Sequence, residues 1–472
     1  MKCTRIETDL LGERSIPAGS YLGIQTVRGL ENFPITGIPI SHFPEFIRAL
    51  AFTKKAAAQA NFELGELDRR LAHAICDACD DIIGGKMAEE FSCDVLQGGG
   101  GTTANMNANE VIANRALEIL GYEMGRYDIL HPNTHVNMGQ STNDAYPTAL
   151  RIALILKINN LLAEMDRLRS AMSRKGEEFN DVVKLGRTEL QDAVPMTLGQ
   201  EFFAYALCVE KNMRQLSTAQ ELIREINLGG TAIGTRINCH PDYPPLAAAK
   251  LREISGVDVY TAPDLIEATQ DCGDYVQLSG ILKRIAVELS KICHDLRLLS
   301  SGHRGGLNEI NLPKVQPGSS IMPGKVNPVI PDMAIQVCYQ VIGSDVTITM
   351  AAGAGQLELN AFEPVIAYNL FQSISILGKT CIILAEKCID GITANREVCE
   401  AIVNRSISLA TALNSHVGYA QASEVAQRAY ETGRSVREVI LEYGLIGDEE
   451  LNDILSPQNM ISPNSFTSRH IP

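Results

Sequence analysis

One stretch of the chain, residues 318–328, concentrates residue types that can carry out acid–base chemistry. It reads Gly-Ser-Ser-Ile-Met-Pro-Gly-Lys-Val-Asn-Pro, a composition that excludes a helix or an interior strand. Its polar groups are the hydroxyls of Ser319 and Ser320, the amine of Lys325 and the amide of Asn327. With backbone N–H groups freed by the turn, these groups can bind a carboxylate. The two glycines allow the loop to bend as a lid, although an ordinary surface connection can have the same composition.

Three further polar clusters interrupt apolar helical patterns. They are Thr102 with Thr103 after four glycines, residues 131–144, and residues 186–193. Any one of their hydroxyls alone would be a simple helix cap, but each cluster holds more hydroxyls and amides than capping requires. The glycines allow close approach of the backbone to a small anion, and no Gly-Lys-Ser/Thr follows them to indicate a nucleotide site. Together the clusters fit a site for a small, doubly anionic molecule.

Long helical patterns position these clusters. Apolar residues recur at helical spacing over residues 147–179, 195–226, 275–299, 331–350 and 364–389. Several patterns exceed the average length of a globular helix. The last is apolar nearly all round, which predicts burial on every side. We expect such helices to bury one another across subunits. A coiled-coil scaffold is the alternative, which the irregular apolar spacing disfavours.

The predicted fold class is all-α, with three domains. Residues 1–140 form a mostly helical N-terminal domain, residues 141–395 a central domain of long bundled helices, and residues 396–472 a small helical C-terminal domain. The last segment has the short helical patterns of a helix-turn-helix but no basic cluster, so no DNA-binding role is assigned.

Composition limits the partners of the chain. A net charge of −15 disfavours non-specific binding to nucleic acid or to an anionic membrane. The N-terminus lacks the apolar core of a signal peptide, and the nearly apolar run 364–378 is too short to span a bilayer, so we expect a cytosolic protein. Twelve cysteines without framework spacing predict buried free thiols. Cys76 and Cys79 have no second pair and no histidine at ligand spacing, so no metal site is expected there.

A set of motifs spread over nearly the whole chain resembles the aspartase/fumarase superfamily. Besides residues 318–328, the matching motifs are Asp9-Leu10-Leu11-Gly12, Gln25-Thr26-Val27-Arg28, Gln97-Gly98-Gly99, Asn105-Met106-Asn107, Gln140-Ser141-Thr142-Asn143-Asp144 and Gln191-Asp192-Ala193. Residues 264–269, 327–331, 363–366 and 391–395 look like the aspartase branch. Fumarases usually have lysine where Glu363 stands, and Ser-Ser where this chain has Ser141-Thr142.

The resemblance implies reversible elimination of ammonia from L-aspartate to give fumarate, without a metal or organic cofactor. The difficult step is removal of a C3 proton, and the resulting dianion must be held by converging donors. In the family pattern Ser319 is the general base, and the implied substrate-binding residues are Thr102, Ser141, Thr142 and Ser320 for the dianion, Lys325, Asn327 and Thr188 for the α-carboxylate, and Asn143 for the amino group. The family also implies a homotetramer in which three subunits build each site.

One position departs from the family pattern. Relatives have histidine or glutamine after Gly-Arg-Thr, where this chain has Glu189. Its carboxylate either forms a local ion pair with Arg187 or another base, or faces the substrate amine. The second interpretation favours an amino substrate over malate, and it also fits an altered amine. The alternatives are therefore a fumarate hydratase, a lyase acting on an N-substituted aspartate, or a catalytically silent structural protein that kept the fold.

Overall fold

The computed structural model describes residues 4–456, 459 and 461. Helices dominate this part of the chain, so the predicted all-α class is confirmed. They are α1 (Ile24–Asn32), α2 (Pro44–Glu63), α3 (Arg69–Ile83), α4 (Thr102–Ile119), α5 (Thr142–Glu178), α6 (Leu198–Leu222), α7 (Tyr243–Ser255), α8 (Glu267–Gln270), α9 (Gly273–Leu299), α10 (Val329–Gly353), α11 (Glu363–Lys387), α12 (Arg396–Arg405), α13 (Asn414–Val417), α14 (Tyr419–Thr432), α15 (Val436–Glu442) and α16 (Asp448–Ile454).

The strands within the described residues form small two-stranded sheets. They are β1 (Thr4–Asp9) with β2 (Gly12–Pro17), β3 (Val183–Thr188) with β4 (Gln191–Thr197), β5 (Glu225–Ile226) with β6 (Tyr260–Thr261), and β7 (Ile310–Asn311) with β8 (Thr393–Ala394). The first two pairs are antiparallel hairpins. The sequence patterns predict no strand in either segment, so these hairpins are a correction.

The chain divides into two compact units. Unit 1 comprises residues 1–163, 212–287 and 337–378, and unit 2 comprises residues 164–211, 288–336 and 379–472. The division falls within the five long helices α5, α6, α9, α10 and α11. The boundaries predicted from the sequence, at residues 140 and 395, stay a prediction, and the end of the C-terminal segment lies outside the described residues.

Helix α4 of unit 1 buries polar side chains among its apolar neighbours. The carboxylate of Glu110 accepts hydrogen bonds from the backbone N–H groups of Gly23, Gln25 and Thr26 and from the Thr26 hydroxyl. These N–H groups belong to the first turn of α1, so a side chain from another helix supplies the missing N-terminal cap. Burial raises the pKa of Glu110 to about 7.

Helix α5 begins at Thr142, five residues before the position predicted from Pro147. Proline lacks the N–H that would bond the carbonyl four residues earlier. That carbonyl belongs to Asn143, and the side-chain amide of Asn227 donates to it at 2.9 Å. The helix therefore continues through Pro147 because another segment supplies the missing donor.

The core of unit 2 lies among the C-terminal helices. Buried residues of α12, α14, α15 and α16 pack with Leu185 of β3, so the β3–β4 hairpin rests on this core. The end of the same hairpin, Thr188 to Gln191, is exposed. The β3–β4 hairpin is thus packed against the core at the Leu185 end and exposed to solvent at its turn.

One helical stretch in the described chain, Glu363–Gly391, is long and apolar enough to cross a membrane. Of its most apolar window, 61% is buried within the chain. A buried core helix meets the same criterion of length and apolar composition.

Candidate active site

The N-termini of α4 and α5 lie together in unit 1. Thr102 begins α4, is exposed, and its hydroxyl donates to the carbonyl of Gly99 at 2.7 Å. Just before it, Gly101 has a φ of 95°, and a Cβ there would lie 2.3 Å from the ring of Tyr146 in α5. Only glycine allows this approach of the two helices.

A side-chain hydrogen bond joins the same two helix ends. Asn105, one turn after Thr102, donates through Nδ2 to the hydroxyl of Thr142 at 3.2 Å. The hydroxyl of Ser141 accepts from the N–H of Asn143 at 3.2 Å. Unit 1 thus brings together the predicted residues Thr102, Ser141, Thr142 and Asn143. Two adjacent helix N-termini favour an anion through their dipoles and free N–H groups.

Asn143 is oriented by a hydrogen bond of its own. Its Nδ2 donates to the carbonyl of Ala232 at 2.7 Å. Because the amide nitrogen is engaged there, Oδ1 is the atom that can accept a hydrogen bond from a substrate ammonium. This orientation suits the role that the resemblance implies.

Lys54 is a polar residue that the sequence reasoning missed. It has no exposed surface, and its Nζ donates to the amide oxygens of Asn105 at 2.6 Å, Asn137 at 2.8 Å and Gln140 at 2.9 Å. Burial lowers the pKa of Lys54 to about 7, against the opposing charge of Asp144. A signal was present in the sequence, because Lys54 lies seven residues after Ile47 and four after Leu50, on the buried side of α2.

The buried side chain of Asp144 holds the start of α5 in place through hydrogen bonds. Its carboxylate accepts from the N–H groups of Ser141, Gly229 and Thr231, each at 2.9 Å. Burial raises the pKa of Asp144 to about 7. Lys54 and Asp144 therefore support the Ser141–Asn143 turn from the protein interior.

Ser319, in unit 2, sits in a turn that directs backbone donors at its oxygen. Its Oγ accepts from the N–H of Ile321 at 3.2 Å and of Met322 at 2.9 Å. A serine can act as a base only if its alkoxide is stabilised, and these donors provide part of that stabilisation. Among the described residues, no side-chain partner of Lys325 is seen, and both Ser320 and Lys325 are exposed.

The ends of the 318–328 loop are held together at a narrow neck. The N–H of Gly318 donates to the carbonyl of Lys325 at 2.8 Å, and the side chain of Asn327 donates to the carbonyl of Gly318 at 2.6 Å. A Cβ at position 318 would lie 2.6 Å from the Lys325 oxygen. Asn327 thus closes the loop with one amide hydrogen and has a second one to offer a ligand.

Glu189 stands at the tip of the β3–β4 hairpin. Thr188 pairs with Gln191, and the two residues between them, Glu189 and Leu190, have φ values of 54° and 63°. Two such residues define a turn that normally contains asparagine and glycine. Arg187 does not pair with Glu189, because its guanidinium lies 2.7 Å from Glu309. The local ion pair with Arg187 is therefore wrong, and within the described chain Glu189 has no ion pair.

The predicted site residues are distributed over both units. Unit 2 holds the remaining six, Thr188, Glu189, Ser319, Ser320, Lys325 and Asn327. Within its described residues, no hydrogen bond or ion pair joins the hairpin tip to the 318–328 loop. The assignment of these residues to one substrate site stays a prediction.

The family models match most of the chain. The model described as Lyase matches residues 12–343, and the model described as Fumarase C C-terminus matches residues 409–462. An aspartate ammonia-lyase of Helicobacter pylori is 55% identical over 462 residues, which cover 98% of this chain and 99% of the relative. The chain belongs to the aspartase/fumarase superfamily.

Solved structures agree with membership of the aspartase/fumarase superfamily. A protein described as fumarate lyase:delta crystallin from Brucella melitensis, bound to cobalt, has a TM-score of 0.96 and 55% identity, covering 98% of this chain and 100% of that chain. A class II fumarase from Schistosoma mansoni has a TM-score of 0.92 at 34% identity, with the same coverage. The predicted resemblance, including its aspartase branch, is confirmed.

In the part of the chain that the structure describes, no group of three or more His, Cys, Asp or Glu side chains is arranged to hold a metal ion. The described cysteines are free thiols, mostly buried, and burial raises the pKa of Cys76 to about 11. Neither Cys76 nor Cys79 is therefore ionised near neutral pH.

Proposed function

We propose that this chain is an aspartate ammonia-lyase, which converts L-aspartate reversibly to fumarate and ammonia. The observation that carries the proposal is its 55% identity to a relative of that name over nearly the full length of both chains. The likeness to a fumarase is weaker, at 34%. The substrate is a small amino acid with two carboxylates, which fits the neutral donors gathered at the N-termini of α4 and α5.

In this mechanism the alkoxide of Ser319 removes a proton from C3 of L-aspartate. The electron pair of the broken C–H bond delocalises into the adjacent carboxylate as an enediolate-like dianion. It then forms the C2–C3 double bond while the C2–N bond breaks and ammonia leaves. The N–H groups of Ile321 and Met322 lower the energy of the alkoxide by their hydrogen bonds to Ser319.

The remaining predicted residues bind the substrate. The dianion is held by Thr102, Ser141, Thr142 and Ser320, the α-carboxylate by Lys325, Asn327 and Thr188, and the amino group by Asn143. Proton removal is accelerated because these residues bind the dianion more strongly than they bind aspartate itself. No step in this scheme requires a metal or an organic cofactor.

Absorbance at the fumarate band tests this function directly. Parallel cuvettes contain the enzyme with L-aspartate, with L-malate, or with buffer alone. We expect fumarate to form from L-aspartate and not from the other two. Formation from L-malate alone would instead indicate a fumarate hydratase, and no product from either would support an N-substituted substrate or a silent protein.

Glu189 is proposed to face the substrate ammonium. A charge-assisted contact contributes roughly 1.5–3 kcal/mol. Glu189→Gln keeps the shape and removes the charge, so the KM for L-aspartate should rise about tenfold, the factor equivalent to 1.4 kcal/mol. Steady-state kinetics measures this change.

Succinate, which lacks the amine, is the matched control ligand for Glu189→Gln. Its inhibition constant should not rise, because a carboxylate that repels the dianion has been removed. Parallel weakening of aspartate and succinate binding would place Glu189 outside the amine pocket.

The chain is further proposed to form a cytoplasmic homotetramer with sites shared between subunits. Tyr339, Val346 and Met350 lie on one face of α10 and are more than half exposed in the isolated chain. Such an apolar face is typical of a surface that another subunit covers. Light scattering should give about four times 51.3 kDa.

Substitution Val346→Glu should dissociate this tetramer, because it places a charge in the apolar contact. Activity should fall together with the measured mass, since the subunits complete one another's sites. A wild-type monomer with full activity at assay concentration would rule out shared sites.

A further inference from the structure

Glu309 is a fully buried carboxylate that the mechanism above does not use. One oxygen lies 2.7 Å from the guanidinium of Arg187, and the other lies 3.2 Å from Nζ of Lys184. Lys184 also lies 2.6 Å from the carboxylate of Glu201 in α6. Two cations, Lys184 and Arg187, and two carboxylates, Glu201 and Glu309, thus form a group of zero net charge beside β3. A buried carboxylate needs such charged partners to offset its loss of hydration.

Arg187 connects this buried group to the hairpin tip. It immediately precedes Thr188, and it is paired across the hairpin with Asp192. Asp192 is itself held, because the hydroxyl of Ser406 donates to its carboxylate at 2.7 Å. Both strands are therefore anchored one residue before Thr188 and one residue after Gln191.

The tip itself is strained and exposed. Glu189 and Leu190 are both left-handed, a conformation that costs residues with a Cβ on the order of 1 kcal/mol each. Such a conformation persists only when its surroundings impose it. The ion pair of Arg187 with Glu309 and the hydrogen bond from Ser406 to Asp192 hold the strand residues on either side of this turn.

Backbone hydrogen bonds hold Glu309 in place. Its N–H donates to the carbonyl of Leu299, and its carbonyl accepts from the N–H of Asn395, both at 2.9 Å. The next two residues form β7, which pairs with β8. Each end of the Glu309 backbone is thus held before its side chain reaches Arg187.

We propose that Glu309 is a positioning residue, which holds the hairpin so that Thr188 and Glu189 reach the substrate. This inference rests on the proposed function for those two residues. Glu309 acts through Arg187 and does not touch the substrate. Misplacement of binding groups by about 1 Å is sufficient to lower catalysis up to a hundredfold.

The test compares Glu309→Gln with Glu201→Gln. Both variants remove one carboxylate from the same four-charge group, but only the first removes the partner of Arg187. For Glu309→Gln, we expect the KM for L-aspartate to rise about tenfold, because the contacts of both Thr188 and Glu189 are displaced. The inhibition constant of succinate should also rise, but by a smaller factor, because succinate loses the Thr188 contact and is also relieved of the Glu189 charge. Glu201→Gln should leave both constants within about twofold.

A purely structural role would give a different result. Partial unfolding lowers kcat per mole of protein, while the remaining folded molecules keep the wild-type KM and inhibition constant. That outcome, or equal effects of the two variants, would overturn the proposal. Glu309→Asp retains the charge and should recover most of the binding loss. If Glu309→Gln does not fold, Glu309→Gln/Lys184→Met restores the charge balance and should still show the raised constants.

Hydrogen exchange provides a readout that does not depend on the substrate. Amide exchange over residues 187–192 should increase in Glu309→Gln and not in Glu201→Gln, with the rest of the chain unchanged. Unchanged exchange there would contradict the positioning role even if the wild type has another substrate. Conversely, faster exchange with no activity on L-aspartate would contradict only the proposed function.

Discussion

Replacement of Ser319 by alanine should lower kcat on L-aspartate by about three orders of magnitude or more. The reason is that no other side chain in residues 318–328 is placed with two backbone N–H groups directed at its oxygen. Assembly and melting temperature should be unchanged, because the loop is exposed and Ser319 contributes no core contact. Steady-state kinetics and thermal unfolding measure the two effects.

A matched variant separates the base from the shape of the loop. Alanine also removes the acceptor of the two N–H groups, whereas Ser319→Asn keeps an oxygen that can accept them in an Asx turn. Asparagine has no hydroxyl, so this variant should be as inactive as Ser319→Ala. If asparagine restored most of the activity, the serine would be needed only for the turn.

Lys54→Met should destabilise the protein by about 3 kcal/mol or more. The substitution leaves the amide oxygens of Asn105, Asn137 and Gln140 without their shared donor in a site with no exposed surface. It also removes a positive charge that favours the ionised form of the buried Asp144. The urea concentration at the unfolding midpoint should therefore fall clearly.

The neighbouring lysine is the control. Lys55 lies next in the chain, and its Nζ contacts the carboxylate of Asp80 at 2.6 Å in an exposed position. Lys55→Met should cost less than about 1 kcal/mol, because exposed ion pairs contribute little. Equal effects of the two variants would mean that the Lys54 network does not stabilise unit 1.

The helices and the reactive loop could be predicted from the sequence because their signals are local. Apolar spacing located α9, α10 and α11 to within a few residues, and glycine with proline marked residues 318–328 as a loop. Pro147 misled the prediction of α5, because the donor that replaces its missing N–H comes from Asn227, far along the chain. No local pattern contains that contact.

The hairpins could not be predicted for a related reason. The turns Leu10–Leu11 and Glu189–Leu190 lack the asparagine and glycine that mark two-residue turns. Distant contacts hold them instead. Arg28 forms two hydrogen bonds of 2.7 Å with Asp9 beside the first turn, and Glu309 pairs with Arg187 beside the second. The polar clusters could be recognised from their composition, whereas the role of each residue came only from the family motifs. Lys54 was missed because it belongs to neither a polar cluster nor a motif.

The contact between Gly101 and the ring of Tyr146 has a consequence for evolvability. No other amino acid fits at position 101 without displacing the buried Tyr146 side chain. Single substitutions at this position, next to Thr102, are therefore not tolerated. Positions 189 and 190 have no such neighbour and point into solvent. In a library selected for activity on new amine substrates, we therefore expect substitutions to accumulate at positions 189 and 190, and Gly101 to be retained.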